Sequence, residues 1–292
     1  MIKIRELLRS VWNEFIYGGH LLSLGAAGIV WSVVIILEES ANWQILVIAY
    51  LISQIIYNYD HSKKGKKDLR TNPERTKHLQ KTEKWFLFIF LFYLLLCFSL
   101  LVMFANLSTF LFALFLMITG VFYTDFFKKI TGKMFGFKNF YVALLWAAGS
   151  LLPLFYYSYN FNWLFVLFFF YIFLRSYLNA VFFDIKDMED DKTERLKTLP
   201  IIFGKEATLR CLYLVNLFSF LPLFVAVYLE IFPVFALFLT LFFFHSFYYL
   251  KKARNADLKK IRHTSYIMVD GEDILSPLVL IAGKLLLSYN FI

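Results

Sequence analysis

Three aspartates, Asp184, Asp187 and Asp191, stand at i, i+3 and i+7 in the stretch FFDIKDMEDDKTERLKTLP. On a helix that spacing projects them from one face. Carboxylates gathered this way repel one another, and a divalent cation between them relieves the repulsion. An all-oxygen donor set suits magnesium, and magnesium in turn suits a diphosphate. The same spacing also fits a solvated acidic helix end, with Glu189 and Asp190 in one charged patch. A second stretch, DHSKKGKKD at 60–68, places Asp60 and Asp68 around four lysines, a histidine and a glycine. It reads either as a charge tether at a membrane surface or as an altered metal site.

Composition sets the elements that must hold these groups. Of 292 residues, 60% are hydrophobic, 21% aromatic and 17% charged. That is more apolar and less charged than a soluble domain, and it implies an integral membrane protein. In such a chain the net charge of +9 reports basic loops at the membrane surface and not nucleic-acid binding. Cys97 and Cys211 both lie in apolar runs, which excludes a disulfide framework or a zinc spacing. The N-terminal MIKIRELLRSVWNEF leads into a long apolar segment without a small-residue cleavage site, so no removable signal peptide is expected.

A spanning helix needs about 20 mostly apolar residues. Nine runs qualify: 17–37, 42–59, 85–104, 107–126, 139–158, 161–183, 207–229, 231–250 and 272–291. They are continuous, not alternating, which predicts helices and argues against a sheet. Lys and Arg gather before the first span and in every other loop, while the loops between carry Glu38, Glu39 and Glu230. The positive-inside bias then puts the N-terminus and the basic loops in the cytoplasm, at the plasma membrane, and the C-terminus outside. Arg175 falls within the sixth span, where an arginine is costly and faces a polar interior. Its two readings are a contact to an anionic ligand and a structural ion pair. His20 in the first span reads as a hydrogen-bonded interior residue, and Gly18, Gly19, Gly25 and Gly28 near it predict close helix packing.

The segment from Asp184 resembles the second aspartate-rich motif of the UbiA-type membrane prenyltransferases. The acids match, KTLP stands at 197–200, and Gly204 follows at the expected distance. The tyrosine of YTDFFKK, Tyr123, the pair Lys128 and Lys129, and Lys138 with Asn139 resemble the family's fourth-to-fifth loop. The family's first motif is N-D-x-x-D-x-x-x-D, followed by Asn-Pro and an arginine. Here Asn72, Pro73 and Arg75 anchor the register and Asp68 takes the last acid. Asp60 then replaces the asparagine, His61 the first aspartate and Lys64 the middle one. Casting Asn58 as the asparagine makes the spacing to Asp68 wrong by two.

The resemblance implies a single all-α domain over 1–292, nine transmembrane helices around a central cavity open to the cytoplasmic side. The two acidic sites, four helices apart, fit pseudo-repeat halves at about 17–126 and 139–250 plus a ninth helix, 272–291. The implied activity is magnesium-assisted transfer of a prenyl group from a prenyl diphosphate to a lipid-soluble or aromatic acceptor. Asp60, Asp68, Asp187 and Asp191 would hold Mg2+, with Asp184 a third ligand or a base. Lys64, Arg75, Lys128, Lys129, Lys138 and Lys197 are the candidate diphosphate contacts. Asp270, Glu272 and Asp273 either cap the ninth helix or touch the acceptor. The lysine at 64 opens an alternative, a catalytically impaired relative that binds an isoprenoid as an accessory subunit. A transporter is the third reading, disfavoured because the acids concentrate at one membrane face and not at mid-membrane.

Overall fold

The computed structural model describes residues 2–64, 72–127 and 130–289, apart from the side chains at 2–4, 64, 82, 125 and 289. Among these residues the chain is helical, with no strand. The first half comprises α1 (Ile2–Tyr17), α2 (His20–Ile36), α3 (Trp43–Lys64), α4 (Pro73–Thr82), α5 (Phe86–Phe104) and α6 (Leu107–Phe122). Then come α7 (Phe137–Gly149), α8 (Leu152–Tyr156), α9 (Trp163–Thr193), α10 (Leu199–Phe218) and α11 (Leu221–Tyr228). The last are α12 (Leu241–Arg254), α13 (Leu258–Thr264) and α14 (Asp270–Tyr289).

Each of the nine apolar runs is helical over most of its length. Five helical segments are long and apolar enough to cross a membrane: 83–104, 137–156, 163–193, 199–228 and 234–254. A sixth is the pair Arg5–Tyr17 and His20–Ile36, bent by 56°. The segment at 83–104 has a mean hydropathy of 2.9 and only 17% of its apolar window buried. Its Leu87, Phe88, Leu95, Phe98 and Val102 all point outward, the pattern of a helix solvated by hydrocarbon.

Inside the bundle, packing replaces the hydrophobic effect as the cohesive force, because lipid tails are as apolar as leucine. One cluster gathers Ile45, Ile48, Ile52 and Ile55 of α3 against Leu101 of α5 and Ala113 and Leu116 of α6. Another joins Phe165, Phe168 and Ile172 of α9 to Leu223 of α11, Phe235 and Leu280 of α14. The most extensive helix contact among the described residues is between α2 and α14. Gly28 permits it: a Cβ there would lie 2.9 Å from the backbone carbonyl carbon of Asp273. The glycine-rich start of α2 thus packs as its composition predicts.

The acidic motif is positioned by α9. Its 31 residues run from Trp163 to Thr193, so the helix continues past the apolar run and carries Asp184, Asp187 and Asp191 with it. Asn162 caps its start by accepting from the Leu164 N–H at 3.0 Å, as expected of an Asn at that position.

Candidate functional site

Two cavities lie side by side between the helices. One, about 270 Å3, is polar; Asp60, Arg75, Lys138, Asn139, Asp184, Lys186 and Asp187 are on its wall. The other, about 240 Å3, is lined mostly by aliphatic side chains such as Ile29, Ile52, Leu116 and Leu145. Tyr57, Asp60, Tyr123 and Trp146 border both.

Asp184 is fully buried. It accepts from Lys138 Nζ at 2.6 Å and from Asn139 Nδ2 at 2.7 Å. The same ammonium reaches Asp191 Oδ1 at 3.3 Å. A lysine therefore sits between the first and third acids of the motif. Carboxylates this deep are tolerated only when paired and hydrogen-bonded.

The KTLP stretch contributes through its backbone. The Gly136 N–H donates to the Lys197 carbonyl and the Lys197 N–H to the Thr131 carbonyl, both at 3.1 Å. That strap fixes the start of α7 and so aims Lys138 and Asn139, its second and third residues, at α9. The Lys197 side chain is exposed, with Nζ 3.5 Å from the Lys133 carbonyl, and it does not line either cavity. Gly204 has φ 79 and interrupts α10, a conformation that favours glycine.

Asp187 has a different partner set. Lys186 Nζ donates to both its oxygens, at 2.8 and 2.7 Å. Asn72 Nδ2 donates to Oδ1 at 3.1 Å. The Asn72 amide oxygen in turn accepts a short hydrogen bond from the Tyr266 hydroxyl. Arg75 and Lys186 both lie over the Tyr266 ring, at 5.8 and 5.6 Å from its centre, within cation–π range. Asn72 and Pro73 open α4, so the NPER sequence brings the asparagine and the arginine to the second motif's central acid. Burial pushes the Tyr266 phenol well above its ordinary range.

Asp60, near the end of α3, accepts from Thr124 Oγ1 at 3.1 Å. His61 stacks on Tyr57 at 3.9 Å between ring centres and lies 3.8 Å from Asp60 Oδ2. Tyr123 stacks on Tyr141 at 5.4 Å on the border of the two cavities. Asn58 donates to the Gln54 carbonyl within its own helix and lines neither cavity. Asp68, Lys128 and Lys129 lie outside the described residues, as does the side chain of Lys64, whose backbone ends α3.

Arg175 is removed from both cavity walls. Its guanidinium donates to Glu272 Oε1 at 2.8 Å through Nε, to Asn216 Oδ1 at 2.7 Å and to Ser246 Oγ at 2.5 Å. Of its two readings the structural ion pair is the one formed, joining α9, α10, α12 and α14. Glu272, one of the carboxylates opening the last span, is thereby committed to Arg175.

Several wall residues escape the sequence motifs: Tyr57, Ser176, Asn179, Lys186 and Tyr266. A signal exists for some of them. Ser176, Asn179, Phe183 and Asp187 recur at three- and four-residue intervals on α9, a stripe that leads from mid-span to the acids. Lys186 carries no such mark; as the residue before an acid it reads as one more basic loop charge.

Magnesium fits this donor set in one form only. Among the described residues no three His, Cys, Asp or Glu side chains converge into a metal cage. Magnesium bound with a diphosphate needs only one or two carboxylates, the phosphate oxygens and water supplying the rest. Asp187, whose side chain is 22% exposed, and Asp60 meet that lesser requirement on the polar wall.

Residues 62–267 match the model of the UbiA prenyltransferase family. No curated protein matches the chain. Among solved structures, a UbiA homologue from Archaeoglobus fulgidus bound to GPP and Mg2+ superposes with a TM-score of 0.65 at 14% identity, covering 92% of this chain and 99% of its own. A UbiA homologue from the same organism bound to DMAPP and Mg2+ gives 0.62 at 14% identity, with the same coverage. Digeranylgeranylglyceryl phosphate synthase gives 0.58 at 18% identity, covering 95% of this chain and 98% of its own. At these identities the likeness is one of fold; the family match, which spans most of the chain, means that the chain belongs to the UbiA prenyltransferase family.

Proposed function

We propose that this protein is an intramembrane prenyltransferase, moving a prenyl group from a prenyl diphosphate to a hydrophobic acceptor. The observation that carries the reading is the pair of adjoining cavities. A diphosphate suits the polar one and its cations; an isoprenoid tail suits the aliphatic one. Tyr57, Asp60, Tyr123 and Trp146 would then surround the carbon at which the chain is transferred.

Asp187 and Asp60, with Asp68 and Asp191, are the proposed magnesium ligands, and Lys138, Lys186 and Arg75 the diphosphate contacts. Bound magnesium would neutralise charge on the departing diphosphate. The chain's own cations do the same work electrostatically, in a site partly screened from water. Lys138 bridges Asp184 and Asp191, and Lys186 pairs with Asp187, so the charges of the motif are offset without a preformed cage. Aliphatic walls keep water from the reactive carbon. The proposed topology is nine spans in one domain, with the N-terminus, the basic loops and the mouth of the polar cavity on the cytoplasmic side of the plasma membrane.

The lysine–carboxylate pairing, with Lys64 in the first motif, favours a second reading: a relative that binds prenyl diphosphate or another isoprenoid without turning it over. One experiment separates the two. Purified protein receives magnesium, prenyl diphosphates of several lengths and a host lipid extract, and products are read by mass spectrometry. Transfer that is lost in Asp187→Asn supports the enzyme. Wild-type protein that binds donor yet neither transfers nor hydrolyses it supports the binding protein.

A further inference from the structure

Part of the polar cavity's wall has no task in diphosphate binding. Asp270 and Asp273 stand one turn apart at the start of α14 and both line the cavity, together with Ser176 and Asn179 of α9. Glu272 between them points away to Arg175. Gly25 and Gly28 bring α2 against Asp273: a Cβ on Gly25 would lie 3.4 Å from the Asp273 Cβ. That contact restricts where the Asp273 side chain can lie. Lys186 and Arg75 act on Asp270 only through space, and no hydrogen bond ties the Asp270 or Asp273 carboxylate among the described residues.

Acids at a helix start are common and mean little alone. Two further observations separate this wall from an ordinary cap. Ser176 is 7% exposed and lines the cavity, and its hydroxyl has no hydrogen-bond partner among the described residues. Asn139 is fully buried on the same cavity, and its Oδ1 has none either. Buried polar atoms are rarely left unpaired. Carboxyl groups and an amide oxygen call for a ligand that donates hydrogen bonds, and Asp270, Asp273 and Ser176 themselves offer no cation to pair with an anionic one.

We propose that Asp270, Asp273 and Ser176 form the subsite for the prenyl acceptor, and that the acceptor is an uncharged hydroxyl compound, not a carboxylic acid or a phosphate. The inference rests on the prenyltransferase reading above. In the transfer, the bond between C1 of the donor and the diphosphate oxygen breaks, and its electron pair leaves with the diphosphate. The acceptor oxygen forms the new bond to C1, and its proton passes to a carboxylate of this wall.

The test uses the full chain in phosphatidylcholine nanodiscs with magnesium and the unreactive donor geranyl S-thiolodiphosphate. Hydroquinone and 4-hydroxybenzoate differ at neutral pH by one negative charge. Saturation-transfer NMR titrations give the affinity of each. The expected wild-type preference for hydroquinone is about tenfold or more. In Asp270→Asn/Asp273→Asn it should fall to about threefold or less, by gain of 4-hydroxybenzoate as well as loss of hydroquinone. Ser176→Ala should weaken hydroquinone alone. Retained binding of the thiolodiphosphate certifies each variant as folded, and the single substitutions serve where the double one fails that check. A wild type that binds the thiolodiphosphate but neither phenol, or both equally, overturns the subsite, as does a preference unchanged in the folded variants. A wild type that does not bind the thiolodiphosphate overturns the prenyltransferase reading and the subsite with it.

Discussion

Replacing Lys138 by methionine keeps the length of the side chain and removes its charge. In the native structure that charge lies 2.6 Å from Asp184 and 3.3 Å from Asp191, whose side chains are 1% and 6% exposed. At an effective dielectric constant near 20, the contact with Asp184 alone is worth roughly 6 kcal/mol of gross attraction. Desolvation of the ions offsets much of this in the intact protein. In the variant the offset is gone on one side only: two buried carboxylates remain, without the cation between them. Breaking a buried pair from one side costs about 3–5 kcal/mol. At ~2 °C per kcal/mol for a chain of this size, the melting temperature should drop by about 6–10 °C. The assay is a thermal ramp of detergent-solubilised protein followed by tryptophan fluorescence. Lys138→Met/Asp184→Asn removes one of the two stranded carboxylates and should recover about half of the loss, the non-additivity expected of direct partners. A single variant that melts within about 2 °C of wild type, or a double variant as unstable as the single, would show that Lys138 does not hold these acids.

Other parts of the charged interior yield tests of their own. Arg175→Met should cost about 3–5 kcal/mol, seen as a lower melting temperature, while the affinity of the surviving folded protein for a prenyl thiolodiphosphate stays within about twofold. Burial raises the Asp270 carboxyl to about 7, against the pull of Lys186 and Arg75. Because the folded state holds that proton more tightly than the unfolded chain, Asp270 adds stability below about pH 4 that is lost as pH rises through about 7, with a slope of at most about 1.4 kcal/mol per pH unit; Asp270→Asn should flatten melting temperature against pH across that window, and a variant with the wild-type slope refutes the assignment. Lys64→Asp should weaken thiolodiphosphate binding about tenfold if the lysine is a phosphate contact; tighter, magnesium-dependent binding would instead mark position 64 as a lost metal ligand.

The parts of this architecture that were legible in the sequence are those governed by local composition. A run such as FLFIFLFYLLLCFSLLVMF has no soluble alternative to a helix, and α5 follows it nearly residue for residue. The three aspartates at i, i+3 and i+7 needed only that α9 continue beyond its apolar stretch, which it does. Pairing was not legible, because it depends on residues brought together from far along the chain. Glu272 looks like a helix cap until Arg175, 97 positions earlier, is seen to hold it. Lys197 matches a motif, yet its backbone does the work and its side chain faces outward. Lys186 shows the opposite case: nothing in its spacing sets it apart, and yet its ammonium is bound by both oxygens of the neighbouring Asp187. Side-chain reach of this kind has no periodicity to read.

The seam between α2 and α14 bears on the order of assembly. Those helices are separated by more than two hundred residues, so their contact is among the last that the growing chain can make, and contacts of such separation form slowly. Until α14 arrives, the polar cavity lacks Asp270 and Asp273, Arg175 lacks Glu272, and Gly28 lacks the backbone that it was shaped to admit. Without α14, Arg175 keeps Asn216 and Ser246 but has no carboxylate to balance its charge. The helix α14 acts as a keystone: one seam both pairs Arg175 with Glu272 and brings Asp270 and Asp273 to the polar cavity, so that the acceptor wall and the buried ion pair depend on the same contact.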